Sequence, residues 1–322
     1  MQLTIIYHLF NNSINLNNSL KSILEQEDQE FSVIFILDQT TEKVRESLKE
    51  INFLKKVKHF KIISISQNLG HSYCFNFALP YIDTPYVYFA SSSVVLKPNF
   101  VSSINNTLKD KNDCDVGFFN VHNAYCKSLD LSLSQDKILE DLYLSFFNSY
   151  TNKIFNVEFL RKNKITITNF KHFTTLFLYN VFSKMKSWFV VNEQLVDLYL
   201  SSTKNYNTYD LVDQFSAMFG KYINDEFFVK NRKHIEYIAI RTILISFLHD
   251  VWVRTAHNKK TFNNAVEYAS KWLKTYIPNW SKNEILTSIS NNDSRKIIQY
   301  LKTFIFKPKN IIKSFSSLEK EI

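Results

Sequence analysis

The chain has 322 residues, 45% of them hydrophobic and 16% aromatic, enough apolar side chain for a large core, which excludes disorder throughout. Its net charge of +9 is uneven: residues 1–225 hold 22 basic and 22 acidic side chains, and residues 226–322 hold 17 and 8, so the last third carries the surplus, 17 − 8 = 9. Cys74, Cys114 and Cys126 are widely spaced with no C-x-x-C pair, which argues against a disulfide framework and a structural metal and fits a reducing cytosolic compartment.

The start, "MQLTIIYHLFNNS", has no basic n-region or small-residue cleavage site, and no run reaches the roughly 18 apolar residues of a spanning helix. Both observations predict a cytoplasmic chain. "LTIIYHLF" predicts a first strand, Asn11-Asn12-Ser13 a break, and Leu16, Leu20, Ile23 and Leu24 a helix. "FSVIFILD" is a near-continuous apolar run of the kind buried on both faces of a parallel sheet, and an amphipathic helix over "QTTEKVRESLKEI" follows it. "FKIISIS" gives a third strand, "GHSYCFNFALPYI" a third helix, and "YVYFA" a fourth strand that halts on Ser91, Ser92 and Ser93. Alternating β and α at this spacing predicts βαβ units in an open, doubly wound sheet, with ligands outside the carboxyl ends of the strands.

"CDVGFFNVHNAY" predicts another strand, and residues 136–148 and 193–202 two further helices. From Glu226 the pattern is helical throughout: residues 234–254 are apolar nearly all round, and residues 262–277 are amphipathic. In the last helices Ile297, Ile298, Leu301, Phe304 and Ile305 lie among Lys and Arg. That pattern suits packing on the core first, and also a peripheral seat on an anionic membrane at the inner face of the cell membrane. No interleaving of basic and aromatic residues on a recognisable module supports nucleic-acid binding.

Four blocks in order over about 100 residues carry a family resemblance: "IIYHLFNNSINLNNSLKSILEQ", "VIFILDQTTE", "SQNLGHSYCFNFAL" and "YFASSSVVLKPNF". Together they resemble family 2 glycosyltransferases of the GT-A fold, inverting enzymes that move a sugar from a nucleotide sugar. The resemblance implies an α/β, Rossmann-like nucleotide-sugar-binding domain with a mixed, mainly parallel sheet over residues 1–225, and a basic helical C-terminal region over residues 226–322. It implies a UDP-sugar donor, a UDP-hexose, and a glycan or lipid acceptor. Carried onto this chain, the donor site falls on His8, Phe10, Asp38, Asn68, Gly70, Ser91 and Ser93, with Asp38 able to accept from the uracil N3–H and Phe10 packing at the base. Asp197, in "NEQLVDLYL", stands where the family keeps its catalytic base, with Glu193 and the Glu140-Asp141 pair as competitors.

The departures are as specific as the matches. The family's metal-binding aspartates are replaced by Ser91 and Ser93, its helix arginine by Phe75, and the first aspartate of its earlier pair by Leu37. Neutral hydroxyls do not hold Mg²⁺ or Mn²⁺ against water, so no metal ligands are assigned here. Two readings stay open: a transferase whose leaving group is neutralised by Lys97, His71 or a C-terminal basic residue in place of a metal, and a catalytically inactive GT-A-like binding or scaffolding partner. A carboxylate arriving from elsewhere, such as Asp83 or Asp115, would rebuild the metal site.

Overall fold

The computed structural model describes residues 1–10, 15–40, 44–46, 59–111, 113–122, 149–167, 174–199 and 208–288. The expected helices over 136–148, 294–306 and 310–322, the Glu140-Asp141 pair and most of the helix after the second strand lie outside them. The chain divides into two compact units, Met1–Thr203 and Lys204–Ile322, so the division falls ahead of residue 225.

The first unit is built on one eight-stranded sheet: β1 (Leu3–Leu9), β2 (Phe31–Asp38), β3 (His59–Ile65), β4 (Tyr86–Ser91), β5 (Val94–Leu96), β6 (Val116–His122), β7 (Lys153–Asn156) and β8 (Trp188–Leu198). The spatial order is β3-β2-β1-β4-β7-β6-β8-β5. The pairs within β3-β2-β1-β4 are parallel, as is β6 with β8, whereas β4–β7, β6–β7 and β5–β8 are antiparallel. This is an α/β fold with a mixed sheet, as the resemblance implies. The apolar runs of β1, β2 and β4 are buried along almost their whole length, as expected of strands covered on both faces.

One face of the parallel strands, Leu3, Ile5, Tyr7 and Leu9 with Val33, Phe35 and Tyr88, packs in a single core with α1 (Leu16–Leu24) and α3 (Phe100–Leu108). The opposite face meets α2 (Gly70–Ala78), where the rings of Phe75 and Phe89 lie 4.7 Å apart. Phe75 is fully buried and is part of the core on this face. Two further helices, α4 (Val157–Lys162) and α5 (Thr174–Phe182), follow β7.

The helix expected over residues 193–202 is not formed: Trp188–Leu198 is a strand. Its ladders with β6 on one side and β5 on the other satisfy its backbone groups, and Val190, Val191 and Val196 suit a pleated strand better than a helix. Register shifts opposite Asn120 break the simple alternation, so the burial pattern of Leu195 and Val196 imitates a helical one.

The second unit is helical over its described residues: α6 (Asp210–Tyr222), α7 (Glu226–Lys230), α8 (Arg232–Arg241), a π-helical turn over Thr242–Phe247, α9 (Leu248–Arg254), α10 (Lys259–Tyr276) and α11 (Glu284–Ser288). Residues 234–254 are buried on most sides, and Trp272 packs against Phe219 while its indole N–H donates to Ser216 Oγ at 2.8 Å. No helix among the described residues is long and apolar enough to cross a membrane.

Gly117 allows β6 to sit between β7 and β8. A Cβ there would press on the Phe189 ring, with Cε2 at 2.7 Å, and on Ile154 Cγ1 at 2.8 Å. Gly117→Ala is therefore expected to destabilise the first unit by about 1–3 kcal/mol, read as a lower midpoint in urea denaturation.

Candidate active site

The ends of β3, β2, β1 and β4 lie side by side, and because the four strands are parallel their carboxyl ends open on the same edge. Phe10 follows β1 and is half-buried, Asp38 ends β2, the exposed Asn68 follows β3, and Ser91 ends β4. The residues expected to hold a donor are thus gathered at one edge of the sheet. Asp83 and Asp115 stand instead just before β4 and β6, at the opposite ends of those strands. Asp83 pairs with Lys61 at 2.8 Å, and Asp115 Oδ2 accepts from the Lys186 and Ser187 amides at 2.7 and 3.0 Å. Neither rebuilds a carboxylate site at the serines.

The serine turn is fixed from below by α1. Ser19 and Ser22 lie on the face of α1 that meets the turn and β5, and Gln26, just past the end of the helix, continues the row. Ser19 Oγ donates to the Ser91 carbonyl at 3.3 Å and to the Val94 carbonyl, and itself accepts from Tyr7 Oη at 2.7 Å. Ser22 Oγ accepts from the Leu96 amide at 3.0 Å. The Gln26 amide group donates to the Lys97 carbonyl at 2.8 Å and accepts from the Val101 amide at 3.0 Å. All three side chains are buried, so each bond stands in for water that the backbone of the turn cannot reach.

On this support Ser91 Oγ and Ser93 Oγ hydrogen-bond each other at 2.8 Å. They are two neutral hydroxyls that share one hydrogen bond and carry no charge with which to hold a hard divalent cation against water, so they do not fit such an ion. They remain suitable donors for phosphate oxygens.

β5 carries the chain from the turn onto β8. Val94 lies opposite Leu198, Val95 opposite Asp197 and Leu96 opposite Val196, and the Tyr199 amide donates to the Ser93 carbonyl at 2.8 Å. Asp197, about 100 residues away in sequence, thereby comes beside the serine turn. Lys97 Nζ lies 2.7 Å from Asp197 Oδ2, with both side chains only partly exposed. Glu193 faces elsewhere: its Oε2 accepts from Asn99 Nδ2 at 2.6 Å and Ser103 Oγ at 2.9 Å, which binds an exposed carboxylate to the start of α3.

Asp38 is wholly buried, and both of its oxygens are engaged. Oδ1 accepts from the Leu69 amide at 2.9 Å, and Oδ2 from the Gly70 amide at 2.8 Å, with His8 Nε2 at 3.0 Å. Burial alone would raise this carboxyl, but the hydrogen bonds from His8, Leu69 and Gly70 outweigh it and hold the group below its ordinary range. Gly70 turns the chain into α2 at φ 77°, a conformation that costs an L-residue with a Cβ. His71 and Cys74, on the face of α2 that meets the sheet, complete the group. The His8 and His71 rings are 3.9 Å apart, and burial, with His8 beside it, pushes His71 well below the usual imidazole range against the pull of Asp38. Burial pushes the Cys74 thiol up, with the Asp38 charge acting in the same sense. Sequence reasoning passed over Cys74; placing residues 71, 74, 75 and 78 on one helical face would have aimed it at the strand ends.

The matching family model is that of glycosyl transferase family 2, over residues 4–184. The chain belongs to this family. A curated relative, the teichoic acid poly(glycerol phosphate) polymerase of Staphylococcus epidermidis, is 21% identical over 371 aligned positions that take in 98% of this chain and 47% of the relative. The chain thus spans about half the length of that curated relative. Among solved structures, residues 1–349 of S. aureus TarS superpose with a TM-score of 0.66 at 14% identity, covering 100% of this chain and 92% of that one. The same protein in complex with UDP-GlcNAc gives 0.66 at 14% identity over 98% and 92%. The mannosyltransferase PcManGT from Pyrobaculum calidifontis, in complex with GDP-Man and Mn²⁺, gives 0.56 at 10% identity over 95% and 88%. At these identities the structural likeness establishes the fold.

Gln26→Ala would strip the Lys97 carbonyl and the Val101 amide of their buried partner. A loss of about 2–3 kcal/mol is expected by thermal denaturation, whereas Glu193→Ala, on the exposed side of β8, is expected to stay within about 0.5 kcal/mol.

Proposed function

We propose that this family 2 glycosyltransferase moves a hexose from a UDP-sugar to a hydroxyl of an anionic glycan or lipid-linked acceptor by a single inverting displacement, with no metal at the serine turn. The observation that carries this reading is the β5–β8 ladder, which sets Asp197 and Lys97 together beside Ser93. In the proposed reaction the acceptor oxygen attacks the anomeric carbon, its proton passes to Asp197, and the bond to the diphosphate breaks with its electron pair leaving on UDP. Lys97 moves from Asp197 to the diphosphate. This single movement brings a cation to the leaving group and releases Asp197 Oδ2 from Lys97 as the proton arrives. Ser91 and Ser93 donate to phosphate oxygens, while Phe10 and Asn68 flank the base. Asp38 serves as a positioning residue, since its oxygens are already committed to the turn that leads into α2.

UDP and UDP-GlcNAc are the ligands of the TarS structures of like fold, and the printed name of the curated relative is that of a polymerase of poly(glycerol phosphate). A polyanionic acceptor suits the surplus of nine positive charges in residues 226–322. The second reading, an inactive partner that binds the nucleotide, is favoured by the same serine pair. It differs in outcome: UDP binds, and no donor turns over.

Asp197→Asn is expected to lower kcat by roughly 100-fold or more while leaving UDP affinity unchanged. Lys97→Met is expected to weaken UDP binding by about tenfold, roughly 1.4 kcal/mol, in isothermal titration. Turnover is expected not to rise on addition of Mn²⁺ or Mg²⁺, and an absolute requirement for either ion would contradict the proposed route. Acceptor affinity is expected to fall with salt, as a charge-driven encounter does.

A further inference from the structure

Beyond the serine turn, the described residues contain a cluster that takes no chemical step in the proposed transfer: His8, Asp38 and Cys74, all buried, with their ligand atoms within 4.8 Å of one another. We infer that His8, Asp38 and Cys74 form a site for a borderline-soft divalent cation of the Zn²⁺ class, at the carboxyl ends of β1 and β2 and next to the position the family uses for its own metal. His8 lies opposite Ser91 in the β1–β4 register, so the site stands one strand over from the serines. Pairing residues of adjacent parallel strands share a face, which puts His8 and Asp38 on the α2 side of the sheet, where Cys74 arrives.

Three features select the ion. One nitrogen, one oxygen and one sulfur suit Zn²⁺ or Co²⁺ and not Mg²⁺ or Mn²⁺, which take oxygen ligands. The charges close: a 2+ ion with a carboxylate, a thiolate and a neutral imidazole sums to zero, so the occupied site buries no net charge. The Leu69 and Gly70 amides already orient the Asp38 carboxylate, the kind of outer hydrogen bonding that holds a metal ligand in place. On binding, the Cys74 thiol proton leaves to solvent, His8 coordinates through Nε2 with its proton on Nδ1, and Asp38 exchanges the His8 hydrogen bond for the metal. A fourth position is left to water or to His71, whose ring centre lies 3.9 Å from that of His8. Such an ion would tie β1, β2 and the start of α2 together, a bracing role separate from the serine turn and one that no spacing in the sequence announces.

The test needs no sugar donor, so its result stands apart from that of the transfer reaction. Full-length protein freed of metal by chelator and dialysis is titrated anaerobically with Co²⁺. Saturation is expected at one equivalent, with a thiolate-to-cobalt charge-transfer band in the near ultraviolet that Zn²⁺ abolishes and Mg²⁺ does not, and Zn²⁺ is expected to raise Tm. The band is expected to survive in Cys114→Ser/Cys126→Ser, which keeps Cys74, and to vanish in Cys74→Ser and in His8→Gln. Should Cys74→Ser fail to fold, the double variant together with His8→Gln decides the matter. Absence of the band from the wild-type protein, its loss in Cys114→Ser/Cys126→Ser, or its persistence in a folded Cys74→Ser protein would overturn the inference.

Discussion

Much of the site depends on a row of buried polar side chains on one helix and just past its end. Ser19 and Ser22 project from α1, and Gln26 from the residues that follow it, against a backbone that has left β4, turned through three serines and begun β5. A turn at the edge of a sheet ordinarily satisfies its carbonyls with water. Here a helix satisfies them from inside, and the apolar side of the same helix, Leu16, Leu20 and Ile23, anchors it in the core. Fixing the turn fixes the start of β5, and β5 in turn sets the register of β8, including the position of Asp197 opposite Val95. The pair of charges proposed to perform the chemistry is therefore placed by uncharged hydrogen bonds to the backbone of the turn, of Leu96 and of Lys97 itself.

A second fixed point lies on the other face of the sheet. Asp38 holds the β3–α2 turn through two amides and is paired with His8, so a residue that resembles a nucleotide reader is occupied in fixing that turn. Phe75 is buried against Phe89, with the His8, His71 and Tyr150 rings around it, and so joins the cluster to the core.

The parallel half of the fold was legible in the sequence because β1, β2 and β4 are uninterrupted apolar runs and the helices between them keep their period. The mixed half was less so. β5 has three residues and β7 four, too short for periodicity to register, and β8 carries "NEQLVDL", whose spacing imitates a helix until two ladders claim its backbone. The gathering of Phe10, Asp38, Asn68 and Ser91 at one edge follows from strand order alone. The Lys97–Asp197 pair and the His8–Asp38–Cys74 group could not be read in advance, since their members are separated by 30 to 100 residues and meet only through the register of the sheet.

The central claim is that Lys97, rather than a cation held at residues 91 and 93, meets the charge of the departing diphosphate. A crystal structure of the protein soaked with UDP in the presence of Mn²⁺ tests it most directly. The account predicts the diphosphate within hydrogen-bond reach of Lys97 Nζ and of the Ser91 and Ser93 hydroxyls, Asp197 released from its ion pair, and no anomalous signal from manganese at the turn. A manganese ion seated between the diphosphate and the serines, with Lys97 still on Asp197, would contradict it.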